Sequence, residues 1–170
     1  MTLTTWYFEM RDRADLHAAK APAEAVSVVR AEIPSVEYSA FLYTAVGADW
    51  NWTDRRVWSG DEWRAYLERP GVETWVGYVR GTPIGFAELD GSNAGEVELA
   101  YFGLLPGFIG QGFGGHLLSE GIARAWTLHE RWPSLAAPAR VWGHTCTDDS
   151  PVALRNYESR GFRVYRTEET

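Results

Sequence analysis

The chain has 170 residues, a net charge of −7 and one cysteine, Cys146. Its length suits a single domain over residues 1–170 with a core that needs no staples, and its lone cysteine excludes an internal disulfide framework and fits a reducing cytoplasm. The acidic balance, with no Lys/Arg run, argues against nucleic-acid binding, and no stretch of about 18 apolar residues is present to span a membrane.

The opening MTLTTWYFEMRDR lacks the basic start and apolar run of a secretory signal. Thr5–Arg11 and Ala25–Glu32 have strand composition. From Ser35 to Gly47, the residues Tyr38, Phe41, Leu42, Ala45 and Val46 recur at helical spacing, and Gly47 makes a C-terminal stop. Trp50, Trp52, Trp58 and Trp63, four of nine tryptophans, crowd the next segment, where they complete a core or line a pocket. Ser59-Gly60-Asp61-Glu62 has the capping-box form and opens a short helix through Leu67 that Pro70 ends.

Two β-rich runs within Glu73–Gly91 flank a turn at Gly81 and predict a hairpin. Glu96–Pro106 is a further strand, and Gly114–Arg131 is a helix with Leu117, Leu118, Ile122, Ala125 and Leu128 on one face. A strand at Ala139–Thr147, a helix at Ser150–Gly161 and a strand at Phe162–Glu168 complete the chain. Three successive strands in the middle break any regular strand–helix alternation. The fold expected is therefore α/β, with a mixed, mostly antiparallel sheet of about six to seven strands flanked by helices.

Gly110, Gly112 and Gly115 spell G-x-G-x-x-G, the dinucleotide fingerprint. The context rejects that identity. The loop follows at least five strands, and Glu130, at about the right spacing for a ribose-binding acid, lies at a helix end. No Gly-Lys-Ser/Thr follows, so a Walker loop is excluded too. The physical capacity remains, because glycines let backbone amides approach a phosphate at a helix start.

Pro106 followed by Ile109-Gly110-Gln111-Gly112-Phe113-Gly114 at the opening of a helix resembles the pyrophosphate loop of the GNAT superfamily of N-acetyltransferases, with Ile109 where a polar residue is usual. Ala153, Tyr157, Glu158, Gly161 and Phe162 resemble that family's late helix and its exit, with Ser150 where Asn is common. The resemblance covers about residues 70–165. It implies a sheet with two splayed central strands, acetyl-CoA as co-substrate, and direct acetyl transfer in a ternary complex to a primary amine. The acceptor would be an unidentified small molecule or peptide. A non-catalytic acyl-CoA binding or sensing module is the competing implication, and a homodimer is left open.

By the same resemblance, residues 72–165 form the CoA-binding core and residues 33–70 the acceptor side. Contacts to CoA fall to Phe102, Gly103, Leu104, the loop Ile109, Gly110, Gln111, Gly112, Phe113, Gly114 and Gly115, and Ser150. Tyr157 stands at the family's tyrosine position, as proton donor to the thiolate or as a packed ring. Glu98 shares a strand face with Glu96 and Ala100 among aromatic residues, where it serves as the base or simply faces solvent. Tyr43, Trp50 and Trp52 are the candidate acceptor contacts. His144 and Cys146 lie two apart on one strand, and two ligands do not make a metal site, so no metal is expected.

Overall fold

The computed structural model describes residues 1–170. β1 (Thr4–Met10) and β2 (Ser27–Arg30) lead into two capped helices. α1 (Val36–Gly47) starts where the Tyr38 amide donates to the Ser35 hydroxyl at 3.2 Å, and α2 (Gly60–Leu67) where the Glu62 amide donates to Ser59 at 3.1 Å. Each cap satisfies one of the amides that a helix start leaves free. β3 (Val72–Val79), β4 (Thr82–Asp90) and β5 (Glu96–Leu104) form an antiparallel meander. Its first turn is the two-residue Arg80-Gly81, with φ of +50° and +81°, the left-handed pair that matches strand twist.

α3 (Phe113–Trp126), α4 (Leu128–Arg131), β6 (Arg140–Cys146), α5 (Ala153–Ser159) and β7 (Arg163–Glu169) follow. The expected single helix over Gly114–Arg131 is thus two, broken at Thr127. The cause is Arg131, which folds back to donate to the Arg124 carbonyl at 2.7 Å and to Thr127 Oγ1 at 3.1 Å. Those bonds take up the orphan end of α3 and stop it there. The late helix is also shorter than the expected Ser150–Gly161, with turn residues ahead of Ala153.

The seven strands join one sheet in the order β2-β3-β4-β5-β6-β1-β7. All neighbours are antiparallel except β5 and β6, whose parallel pairing needs the crossover that α3 and α4 supply. The first strand therefore sits between the last two. One face of the sheet packs on α3, α4 and α5 through Leu89, Val97, Leu99, Leu118, Ile122 and Tyr157. The other face packs on α1 and α2 through Leu42, Val46, Val76 and Phe86, and through Tyr43, Trp63 and Leu67.

Glu73 is 2% exposed and ties this frame together. Its two oxygens accept from Arg131 at 2.7 Å each and from the indoles of Trp75 and Trp132 at 3.0 Å each, while Arg30 of β2 lies at 3.5 Å. A buried carboxylate is tolerable only when it is paired this fully.

Candidate active site

β5 and β6 pair over just three residues each, Glu96–Glu98 against Arg140–Trp142. Beyond Glu98 they diverge. The register of β5 on β4 explains why: Glu88 faces Tyr101 and Leu89 faces Leu99, so Ala100 is an extra, bulged residue. A bulge bends its strand and interrupts the ladder. The divergence opens a cleft of about 600 Å³, within the range of small-molecule sites. The expected splay of the two central strands is present, and the β6-facing backbone groups from Leu99 to Leu104 have no strand partner.

At the narrow end of the cleft stands Glu98, half-buried and directly opposite Asp90 across the β4–β5 ladder. The two carboxylates are not equivalent. Asp90 has Arg69 at 3.3 Å and accepts from the Ser92 amide at 3.0 Å, whereas Glu98 has neither a hydrogen-bond nor an ion-pair partner. Burial first, then the charges of Asp90 and Glu88, push the Glu98 carboxyl above the usual carboxylate range, against a smaller opposing pull from Arg55.

Tyr157 of α5 closes the opposite wall, 8% exposed, its ring stacked 4.2 Å from Phe8 and edge-on to Phe102 and Phe162. Burial raises its phenol pKa, so it stays protonated. Its hydroxyl makes no bond within the chain.

Beyond β5 comes the glycine loop. Gly110 and Gly112 have φ of +81° and +85°, and a Cβ on either would meet nothing within 4 Å. Those glycines are thus required by backbone conformation, with no packing reason. The consequence lies in the amides: none from Gly110 through Gly115 donates a hydrogen bond within the chain. Six consecutive free donors at the positive end of α3 are an arrangement able to hold an anion.

The wall of the cleft beside α2 is organised by a residue that the aromatic pattern concealed. Arg55 is 7% exposed, forks onto Glu88 at 2.8 and 2.7 Å, and has the rings of Tyr66, Tyr101, Trp58 and Trp63 within 5.4 Å of its guanidinium carbon. Tyr66 adds a 2.7 Å bond to the same carboxylate. Burial works against the Arg55 charge, yet the bonds and charge of Glu88 outweigh it and raise the pKa further. The loop carrying Arg55 also bridges the cleft, because the Trp52 indole donates to Asp149 at 3.1 Å and Asn51 to Asp148 at 3.2 Å.

The sequence profile of the acetyltransferase (GNAT) family matches residues 36–162. The chain belongs to this family. No match emerges among curated proteins. Among solved structures, the GNAT fold recurs in a GCN5-related N-acetyltransferase from Kribbella flavida, at 19% identity and a TM-score of 0.65 over 96% of this chain and 55% of that one. A GCN5-related N-acetyltransferase from Sphaerobacter thermophilus is similar at 17% identity and a TM-score of 0.66, covering 98% of this chain and 50% of that one. The chain thus spans about half the length of these structures.

Of the residues singled out in this GNAT chain, Glu98, Tyr157, Phe102, Gly103, Leu104, Ile109, Gly114, Ser150, Trp50 and Trp52 all line the cleft. Tyr43 does not; it is 2% exposed and supports the site from below, accepting the Arg55 amide at 3.1 Å. Gly110, Gln111 and Gly112 form the exposed rim, and Gln111 donates to the Gly107 carbonyl at 2.8 Å. Phe113 offers only its amide there, because its ring is buried with Val79 and Ile84. Gly115 has a different role from its neighbours. A Cβ there would collide with Arg160 and Ala19, so this glycine serves close packing. His144 and Cys146 both face the cleft; burial lowers the imidazole pKa and raises that of the thiol, which favours neutral forms.

Proposed function

We propose that this GNAT domain transfers an acetyl group from acetyl-CoA to a primary amine by direct attack in a ternary complex. The observation that carries the proposal is the cleft between β5 and β6, with an unpaired carboxylate, a protonated phenol and a cradle of free amides along its walls. Acetyl-CoA, when bound, supplies an activated thioester carbonyl and a thiolate leaving group. The amides of Gly110–Gly114 hold the pyrophosphate, and Ile109 adds an apolar contact where the family usually has a polar one. Unpartnered backbone on β5 from Leu99 to Leu104 pairs with the pantetheine amides in the manner of an added strand.

Glu98 accepts the proton of the attacking amine, and its raised pKa brings it closer to the task at neutral pH. Tyr157 donates a proton toward the departing sulfur. Asp54, Asp90, Glu98, Asp148 and Asp149 all line the cleft, so an ammonium acceptor enters a negative field. The test is a screen of an amine library for acetyl-CoA-dependent CoA release. Tight acetyl-CoA binding with no amine turned over across a broad library would replace this proposal by a binding module.

Two expected results follow. Glu98→Gln lowers kcat/KM about 30-fold at pH 7 and removes the acidic limb of the pH profile. The same variant is more stable than the parent at pH 7. A carboxyl raised above its unfolded value stabilises the fold only while protonated, and that contribution is lost as pH rises through the folded value. The gain in Tm therefore fades as pH falls toward the unfolded value of 4.5.

Gly112→Ala and Gly81→Ala form a matched pair, since the parent glycines have φ of +85° and +81° and open space around each. Each substitution strains the backbone by about 1–2 kcal/mol. Only Gly112→Ala is expected to weaken acetyl-CoA binding, by about tenfold, which calorimetry reads directly.

A further inference from the structure

The Arg55–Glu88–Tyr66 cluster is the most deeply buried ionic feature on the cleft side of the sheet, and it makes no hydrogen bond to Glu98 or Tyr157. Glu88 is 2% exposed, does not line the cleft, and accepts three hydrogen bonds, two from Arg55 and one from Tyr66. It lies on β4 two residues before Asp90, which faces Glu98 directly. Arg55 and Tyr66, its two donors, do line the cleft beside Glu98. A carboxylate and a guanidinium of opposite sign are therefore locked in one orientation close behind the half-buried Glu98, in a setting where solvent screens charge poorly.

From this geometry we propose that Glu88 and Arg55 are positioning residues that set the proton affinity of Glu98 with opposite signs: Glu88 holds the proton on and Arg55 draws it off. Tyr66 fixes the Glu88 carboxylate in the orientation that does so. Locking matters because the two effects oppose each other, so a rotation of the pair would shift the balance. The buried ring cage around Arg55 prevents that rotation. The other charged or titratable groups facing Glu98 are Asp90 on β4 with its partner Arg69, Glu96 on β5, and Asp54 beside Arg55. Tyr101 on β5, His144 and Cys146 on β6, Asp148 and Asp149 after it and Tyr157 on α5 line the same cleft. None of these changes in the variants below.

The proposal rests on Glu98 as the base, and its test is chosen to stand apart from turnover. The full chain labelled with ¹³C at glutamate carboxyls gives a Glu98 resonance, assigned by its loss in Glu98→Gln, whose pH midpoint is followed by NMR. Glu88→Gln is expected to lower the proton affinity of Glu98 about tenfold, and Arg55→Gln to raise it by a similar factor. The double variant returns it to within about twofold of the parent, because both charges are gone. If only one single variant folds, its sign alone decides.

With an acceptor in hand, the acidic limb of kcat/KM moves to lower pH in Glu88→Gln and to higher pH in Arg55→Gln. A purely structural role predicts an unmoved Glu98 midpoint in any variant that retains the parent circular dichroism, and that result overturns the proposal. Intact turnover in Glu98→Gln would instead remove the base assignment while leaving the titration result standing.

Discussion

Replacing Tyr157 by phenylalanine is expected to lower kcat about 100-fold while leaving the KM for acetyl-CoA within about twofold. The ring contacts argue for a clean experiment. Phe8 at 4.2 Å, Phe162 at 6.1 Å and Phe102 at 6.2 Å all meet the ring and none depends on the oxygen. The hydroxyl itself has no partner within the chain, so removing it strands no buried donor or acceptor, and Tm should hold. What is lost is the proton available to the departing thiolate. Because burial raises the phenol above its ordinary value of 10.0, Tyr157 contributes no alkaline limb below that pH. Unchanged kcat in a folded Tyr157→Phe would reduce the tyrosine to a packing residue.

The largest stability effect is expected at Glu73. Truncation to alanine strands the two Arg131 donors and the indoles of Trp75 and Trp132, with Arg30 left uncompensated nearby. Removing one partner of a buried ion pair typically costs about 3–5 kcal/mol. Arg131 and Arg30 retain 21% and 20% side-chain exposure, so water recovers part of the loss and the lower end applies, about 3 kcal/mol. For a chain of this size that corresponds to a fall in Tm of roughly 6–12 °C. None of the Glu73 partners lines the cleft, so kcat of the surviving folded fraction should be unchanged. A thermal melt displaced by less than about 2 °C would show that the cluster is not what ties β2, β3 and α4 together.

Much of this architecture can be read locally. The caps at Ser35 and Ser59, the two-residue turn at Arg80-Gly81 and the glycine loop each announce themselves within four to six residues, because each satisfies a short-range backbone demand. The strand face of Glu98 is legible as well, since alternation along β5 buries Val97 and Leu99 and leaves Glu96 and Glu98 on the other face. Arg55 was not. Flanked by Asp54 and Arg56 in a polar, tryptophan-rich stretch, it has the local signature of a solvated arginine, and only the long-range approach of Glu88 makes it the centre of the ring cage. Of the three rings expected to meet an acceptor, Tyr43 is buried with the chain's own Arg55 guanidinium 6.0 Å from its centroid, which leaves Trp50 and Trp52 to face the cleft.

The Ala100 bulge escaped for a similar reason. EVELAYFGL alternates acceptably through Ala100, and its irregularity exists only against the register of β4. The break at Thr127 is invisible without knowing that Arg131 returns to the end of α3. For Arg55 and Ala100 the missing information is a partner distant in sequence; for Thr127 it is the backward reach of one side chain over seven residues.

The insertion of β1 between β6 and β7 has a consequence for how the protein comes into being. Thr4 pairs with Glu169 and Thr5 with Cys146, so β1 finds its partners only once strands 165 and 141 residues further along have been made. At roughly 5–20 residues per second, that wait lasts about 10–30 s. Through that interval β2 to β5 can zip as a local meander, while the apolar Phe8 and Met10 of β1 stay unsheltered. The slow, aggregation-exposed step in folding should be the docking of β1, a closure whose high contact order sets its rate.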